Sequence, residues 1–305
     1  MSAVAGVPAG TGSTAGLRRR SVARRRIIDK AVTWSAWMAA AFGVFIMGWI
    51  VFTVVVRGIG AIDLAFFTQG PPAGADSGGG LGPCILGTFV ITAVAALMGI
   101  PVGFFGAIYL SEFGRTGRVA TSIRTITNVV LGVPSIIAGL FAYAILVKTL
   151  HHYSGFSASV ALAFIMLPVM TRAAEDVLNL VPNELRESAL AMGAPRWKAT
   201  LGVVVRAARA GLITSTILAV VRVAGETAPL IFTALSSPYW LTGLFGSSGF
   251  FGGPTANLTK TIYDMSTSPY AHQQQLAWGG ALLIIVVILG ANVAARLIFQ
   301  RGKNA

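Results

Sequence analysis

Six long apolar runs limit the folds open to this chain more than any other feature of its sequence. They cover residues 31–56, 85–110, 126–147, 153–171, 210–235 and 276–296. A helix needs about 20 mostly apolar residues to cross the hydrocarbon core of a bilayer. Only 11% of the residues are charged, against about a quarter in a soluble domain, so six buried helices would lack the polar shell of a soluble protein. The sequence therefore predicts an all-α integral membrane protein with six transmembrane helices.

The basic residues alternate between the two sides of the predicted membrane. Of 23 Lys and Arg residues, 19 lie in residues 1–30, in the loop after the second run, in residues 172–209, or at the end of the last run and beyond it. Three lie in the opposite loops, and Arg222 lies inside a run. Because short cytoplasmic loops carry the excess of Lys and Arg, we expect both termini and residues 172–209 to be cytoplasmic. This alternation explains the net charge of +13 without a nucleic-acid-binding surface.

These patterns divide the chain into three parts. We expect a cytoplasmic, basic and largely disordered tail (1–30), a transmembrane domain (31–300) and a short cytoplasmic tail (301–305). Within the transmembrane domain we expect a first helix (31–56), a five-helix core (about 84–298) and the cytoplasmic loop (172–209).

Three absences narrow the chemistry of the chain. Cys84 is the only cysteine, which excludes an intrachain disulfide. The sequence has no G-x-x-x-x-G-K-[ST] loop to hold the phosphates of ATP. Its three histidines lie in loops and form no cluster with metal-ligand spacing, so we expect no metal site and no cofactor bound by this chain.

A short polar stretch, VPNELRESALAMGAP, interrupts the apolar sequence at residues 181–195. Acidic residues at its start and Gly193 near its end predict a helix of about three turns. Leu185, Ala189 and Met192 recur at helical spacing and form one apolar face. Either this helix lies on the membrane surface, or it docks into the groove of a partner.

The same stretch resembles the cytoplasmic EAA loop of ABC-importer permeases, with Glu187-Ser188-Ala189 followed by Gly193. In that family this loop contains the coupling helix that inserts into the nucleotide-binding subunit. The resemblance implies that residues 184–197 couple this chain to a separate ATPase, which binds ATP with Mg. It also implies a transport subunit rather than an enzyme. The coupling residues that it implies are Glu184, Glu187, Ala189, Gly193 and Arg196.

Four longer segments narrow this resemblance to the PstA-type permeases of bacterial phosphate ABC importers. The similar segments are GTFVITAVAALMGIPVGFFGAIYLSEF (87–113), GVPSIIAGLF (132–141), LPVMTRAAEDVLNLVPNELRESALAMGA (167–194) and RVAGETAPLIFTA (222–234). The family resemblance implies a type I ABC importer permease fold in the bacterial cytoplasmic (inner) membrane, with several membrane passes. It also implies three partners, namely a PstC-like permease that completes a heterodimer, a PstB-like ATPase dimer and a PstS-like phosphate-binding protein.

Phosphate is the substrate that this resemblance implies, and two alternatives stay open. One is an ABC-importer permease for another oxyanion, such as sulfate or molybdate. The other is a secondary transporter that needs no ATPase. The second alternative is less favoured, because the chain lacks paired, interrupted helices in two symmetric halves.

Arg222 and Glu226 are ionisable residues inside the fifth apolar run. A charge at the centre of the bilayer costs about 2.5–3.5 kcal/mol on insertion scales, so such residues are functional candidates. In a continuous helix, Arg222 would lie about 18 Å from residue 210, near the middle, and Glu226 one turn further on the same face. Either the two form a neutralising ion pair, or they line a substrate pathway with Thr227. In the second case the guanidinium offers forked donors to an oxyanion.

Two further groups of residues are assigned structural roles. We expect Tyr109 and Glu112 to be interfacial anchors at the cytoplasmic end of the second helix. We expect Gly132 and Gly139, on either side of Pro134, to allow close packing of helices.

Overall fold

The structure is a computed structural model that describes residues 14–74, 78–114, 117–246 and 249–303. These residues form helices and connecting segments, and no strand occurs among them. The α-helices are α1 (Thr14–Gly58), α2 (Leu64–Thr68), α3 (Gly82–Ile108), α4 (Arg118–Gly132), α5 (Ser135–Ala142), α6 (Lys148–Leu150), α7 (Gly155–Asn179), α8 (Asn183–Ala191), α9 (Arg196–Ala199), α10 (Val205–Ala224), α11 (Ala228–Thr233), α12 (Leu258–Ser266) and α13 (Ala271–Lys303). The π-helical segments are Tyr109–Phe113, Tyr143–Val147 and Thr200–Val204, and Ile59–Ala61 is a short 3₁₀ helix.

The chain divides into two compact units, with the boundary between Thr53 and Val54. The first unit is the larger part of α1, whose apolar side chains are largely exposed; Trp34 and Trp37, for example, are each 70% exposed. Helix α1 begins at Thr14, inside the segment 1–30 that the sequence predicts to be largely disordered. The first 13 residues of that segment lie outside the described part of the chain.

The number of long apolar helices agrees with a multi-pass membrane protein. Among the described residues, five helices are long and apolar enough to cross a membrane, and a bent pair of helices could supply a sixth span. The five are Arg24–Ala61, Gly82–Phe113, Gly155–Asn179, Arg196–Ala224 and Ala271–Leu297. The predicted all-α membrane fold is therefore confirmed, whereas two of the six predicted spans differ in detail.

The third predicted span, 126–147, is not one straight helix. The helices Arg118–Gly132 and Ser135–Leu150 meet at an angle of 101°. Pro134 has no N–H to continue the helical hydrogen bonds, and a residue before proline avoids the α-helical conformation. Val133 accordingly has φ −73° and ψ 129°, which is extended backbone. The expectation of a continuous helix was wrong because this Val-Pro step breaks it.

The fifth predicted span, 210–235, is also broken. Helix α10 ends at Ala224 and α11 begins at Ala228. Pro229, in the first turn of α11, lacks the N–H that a continuous helix would donate to the carbonyl four residues earlier. At the other end the helix is longer than the predicted span, since the helical stretch begins at Arg196. Only the shorter segment 180–195 separates this helical stretch from α7.

The core of the second unit lies where α3 and α10 pack against α7. Small residues allow the close approach of α3 and α7. A Cβ at Gly103 would lie 2.9 Å from Cβ of Met170, and one at Gly99 would lie 3.2 Å from Cβ of Met166. Such contacts between small and large side chains drive helix association in lipid, where the hydrophobic effect is absent.

Candidate functional site

Arg222 lies in the last turn of α10, beside the break that precedes α11. The expectation that it occupies the middle of a continuous helix was wrong, because α10 ends two residues later. A basic side chain at this position interacts favourably with the unpaired carbonyl groups of a helix C-terminus. The side chain of Arg222 is exposed within this chain, and Glu226 is half-buried.

Arg222 and Glu226 line one cavity of about 140 Å³. The other walls of the cavity come from the break between α4 and α5 and from α7. These walls consist of Val130, Leu131, Val133, Ser135, Ala138, Phe164, Ile165, Pro168 and Val169. Thr227 is not among the lining residues. The structure thus brings two of the three predicted pathway residues together, at the point where two predicted spans are broken.

The two charged residues are not arranged as an i, i+4 pair on one helix. Glu226 follows the end of α10, where its N–H donates to the Val223 carbonyl at 3.1 Å and its carbonyl accepts from Thr259 Oγ1 of α12 at 3.1 Å. Within the described ranges, the ion pairs of 4.0 Å or less do not include one between Arg222 and Glu226. Both side chains face the cavity without neutralising each other through a direct contact.

Helix α8 begins and ends close to the start and stop residues that predict it. It begins after Pro182 and ends at Ala191. Gly193 has φ +80°, a left-handed conformation that glycine enters without strain, and its N–H donates to the Leu190 carbonyl at 3.0 Å. Met192 N–H bonds to the Ser188 carbonyl at 3.1 Å. The prediction of a short helix stopped at Gly193 is therefore confirmed.

Three apolar side chains in or just after α8 are exposed. Leu185 and Leu190 are each 43% exposed, and Met192, just after the helix, is 88% exposed. Leu185 and Met192 lie on one side of the helix, whereas Leu190 lies about 140° from Leu185 around it. Ala189 is half-buried. Of the three residues of the predicted apolar face, Leu185 and Met192 are thus exposed and Ala189 is not. Solvent-exposed leucine and methionine side chains on a helix are suited to a hydrophobic groove on another protein.

A cleft of about 580 Å³ lies between α8, α9 and the end of α3. It is lined by Glu112, Phe113, Gly117, Asn183, Arg186, Glu187, Leu190, Arg196, Ala199, Thr200 and Val204. Two of the predicted coupling residues, Glu187 and Arg196, border this cleft. The other three, Glu184, Ala189 and Gly193, are not among its lining residues.

A buried ion pair at this end of the molecule was not predicted. Glu112 lies in the π-helical segment that ends α3, and its side chain is only 8% exposed. It accepts hydrogen bonds from Arg186 of α8, whose Nη2 lies 2.8 Å from Glu112 Oε1. The expectation that Glu112 is an interfacial anchor was wrong, because its carboxylate is paired inside the protein.

A second buried carboxylate belongs to α7. The side chain of Glu175 in α7 is 3% exposed and accepts from Arg124 Nε at 2.7 Å. Arg124 Nη2 also donates to the Leu110 carbonyl at 2.8 Å, and Arg172 lies 3.6 Å from Glu175. These contacts tie α4 and α7 to the end of α3.

The sequence indicates the carboxylates of these pairs but not their basic partners. Only 10 of 305 residues are acidic, so a carboxylate at the end of an apolar helix is itself a candidate for a buried pair. The partners are 74 residues apart for Glu112 and Arg186, and 51 for Arg124 and Glu175. No local pattern connects residues at such distances. Among the described residues, no group of three potential metal ligands occurs.

Comparisons with known proteins identify the kind of protein that has this architecture. The family model described as "Binding-protein-dependent transport system inner membrane component" matches residues 99–303. The chain is 39% identical over 287 residues to the phosphate transport system permease protein PstA of Yersinia pestis, and the match covers 94% of this chain and 95% of that protein. It is 40% identical over 280 residues to PstA of Pasteurella multocida (strain Pm70), covering 92% and 97%.

A solved structure agrees with the fold. A chain of the inward-facing MetNI methionine ABC transporter matches with a TM-score of 0.59 at 18% identity, covering 73% of this chain and 95% of that one. At this identity the likeness concerns the fold alone, that of a type I ABC importer permease. The family match and the relatives together decide the classification. This chain belongs to the family of binding-protein-dependent transport system inner membrane components, and within it to the PstA-type permeases.

Proposed function

We propose that this chain is the transmembrane permease subunit of an ATP-driven importer that moves inorganic phosphate across the bacterial inner membrane. The observation that carries the proposal is the similarity to phosphate transport system permeases along more than nine-tenths of the chain. A permease of this kind works with an ATPase and a substrate-binding protein. We propose that these are a PstB-like ATPase dimer, which hydrolyses ATP with Mg, and a PstS-like protein, with a PstC-like permease as the second membrane subunit.

The cavity beside Arg222 is the proposed place of phosphate in the permease. A guanidinium offers several N–H donors in a fixed fork that matches the oxygens of a tetrahedral oxyanion. Glu226 faces the same cavity, and its negative charge opposes anion binding, so the anion can be released again. Thr227 follows Glu226 in the break between α10 and α11, and we propose that it contacts phosphate only when this segment moves.

Helix α8 is the proposed coupling helix. Its apolar side chains are exposed, as docking into an ATPase groove requires. We propose that Glu184, Glu187, Ala189, Gly193 and Arg196 contact the ATPase. This assignment needs α8 to lie on the cytoplasmic side of the membrane, which agrees with the distribution of basic residues.

The pathway role is tested by removing both charges. We expect the double variant Arg222→Ala with Glu226→Ala to assemble and hydrolyse ATP, but to take up phosphate roughly 10- to 100-fold more slowly, since hydrogen bonds to charged groups contribute about 1.5–3 kcal/mol and each 1.4 kcal/mol is about tenfold. Arg209→Ala, near the start of the same helix, is the matched control and should transport normally. Near-normal phosphate uptake by the double variant would show that the two charges are structural.

The coupling role is tested at Gly193. Nothing lies within 4 Å of the position that a Cβ would take there, so a substitution acts through the backbone conformation. The left-handed conformation costs a residue other than Gly about 1–2 kcal/mol, and this cost is smaller for Asn. We expect Gly193→Val to weaken co-purification of the ATPase roughly 5- to 30-fold, and Gly193→Asn to weaken it less. Unchanged co-purification and uptake in the Val variant would mean that α8 is not the coupling helix.

A further inference from the structure

Arg186 differs from the rest of α8 in facing the inside of the protein. None of the residues of α8 is fully buried, and Glu184, Leu185, Glu187 and Ser188 around it are exposed. The side chain of Arg186, in contrast, is only 11% exposed, and that of its partner Glu112 is 8% exposed. A buried polar contact therefore helps to attach the helix to the rest of the protein.

The guanidinium of Arg186 connects three elements. Its Nε donates to both carboxylate oxygens of Glu112 at 3.1 Å, and Nη2 donates to Glu112 Oε1 at 2.8 Å. Nη2 also donates to the Leu178 carbonyl in α7 at 2.9 Å. Nη1 donates to the Val181 carbonyl and to Asn183 Oδ1. The forked geometry fixes the orientation of α8 relative to the end of α3 and the end of α7.

Glu112 is held in place from its own side as well. Ser111 Oγ lies 3.0 Å from Glu112 Oε1 and 3.1 Å from Asn179 Oδ1, and its single hydrogen is shared between these two acceptors. Both Ser111 and Glu112 lie in the π-helical segment Tyr109–Phe113, and π-helical turns inside α-helices often mark functional positions. Because the pair is buried, salt screens it much less than a surface pair.

These contacts continue towards the cavity of Arg222. Helix α3 packs along α7, and Phe164, Ile165, Pro168 and Val169 of α7 line that cavity. The Glu112–Arg186 pair thus connects α8 to the end of α3, and α3 packs against the helix that forms one wall of the cavity.

We infer that Glu112 and Arg186 are positioning residues that link the movement of the coupling helix α8 to the opening of the transport pathway. The inference rests on the proposed coupling function of α8. Neither residue contacts phosphate or ATP. Their role is to keep α8 and α3 moving as one body, so that ATP hydrolysis on the partner is converted into transport.

The test uses the complete importer in proteoliposomes. Glu112→Gln keeps the shape of the side chain and removes its charge, and Arg186→Gln removes the fork. We expect both variants to retain the ATPase on purification, but to transport at least about fivefold less phosphate per ATP hydrolysed, the lower end of typical coupling between two sites. The double variant should be no worse than either single variant, since the two residues act through one contact. Asp176→Asn, at an exposed ion pair on α7, is the matched control and should leave the ratio unchanged.

The outcomes separate this inference from the function on which it rests. If Gly193→Val leaves ATPase association unchanged, the coupling role of α8 fails, and the inference fails with it. If Gly193→Val weakens association but Glu112→Gln has a normal ratio of phosphate to ATP, only the inference is wrong. If the Gln variants do not assemble, Arg186→Lys distinguishes a role in coupling from a role in folding, because Lys keeps the positive charge but lacks the forked guanidinium donors. A Lys variant that assembles and transports less phosphate per ATP hydrolysed supports the inference. If the Lys variant has a normal ratio of phosphate to ATP, or does not assemble, the pair serves folding alone.

Discussion

Replacing Gly139 by alanine probes the contact between α5 and α11 directly behind the cavity of Arg222. A Cβ at position 139 would lie 2.6 Å from Cα of Pro229 and 3.3 Å from its carbonyl oxygen. Both atoms belong to the backbone, so no side-chain rotation can relieve the contact. Ordinary van der Waals contact begins at 3.4 Å, and the two backbones must therefore separate by about 0.8 Å, provided that the helices stay packed.

The size of the effect follows from this overlap. Overpacking of a close contact costs about 1–3 kcal/mol, which for a chain of this size corresponds to a fall of roughly 2–10 °C in the unfolding midpoint. Pro229 lies three residues after Glu226, so the displacement also moves a wall of the cavity. Where geometry decides activity, a misplacement of about 1 Å can cost up to about 100-fold. We therefore expect phosphate uptake to fall more than the amount of assembled complex.

Gly132→Ala is the matched control in the same broken span. Nothing lies within 4 Å of a Cβ built at Gly132, the last residue of α4. Alanine is the better helix former by about 1 kcal/mol at interior positions, so this variant should unfold at the same temperature or slightly higher and transport normally. The measurements are thermal unfolding of the purified complex and phosphate uptake in proteoliposomes. Equal midpoints and equal uptake for the two variants would refute the reasoning from the 2.6 Å contact.

Two further predictions concern the buried carboxylate of α7 and the orientation of the chain. Glu175→Ala should destabilise the protein by about 1.5–3 kcal/mol, because it removes the buried carboxylate that accepts from the charged Arg124. Asp176→Ala, at a 59% exposed side chain, should cost less than about 1 kcal/mol; equal unfolding midpoints would contradict this. A membrane-impermeant thiol reagent should label Ser188→Cys only from the cytoplasmic side and Tyr263→Cys only from outside. Labelling of position 188 in intact cells would overturn the topology. Cys84 is fully buried and should not compete for the reagent.

Local patterns in the sequence determined the class of the protein and several of its elements. Apolar runs identify membrane-spanning helices because the bilayer sets their length and excludes charge. The bounds of α8 follow from its acidic start and from Gly193, since helix ends are decided by the few residues beside them. The motifs from 87 to 234 identified the permease family. The assignments of Arg222, Glu226, Thr227 and the coupling residues remain predictions.

The tertiary structure decided which residues meet. Glycine is visible at both 132 and 139, and both were expected to allow close packing, but only Gly139 lies against another helix. The prolines at 134 and 229 are equally visible, yet the 101° bend and the shared cavity beside Arg222 follow from how the broken helices pack. Glu112 and Arg186 are 74 residues apart. Contacts of this kind depend on the relative placement of whole helices, which packing and hydrogen bonding decide together and no local pattern encodes.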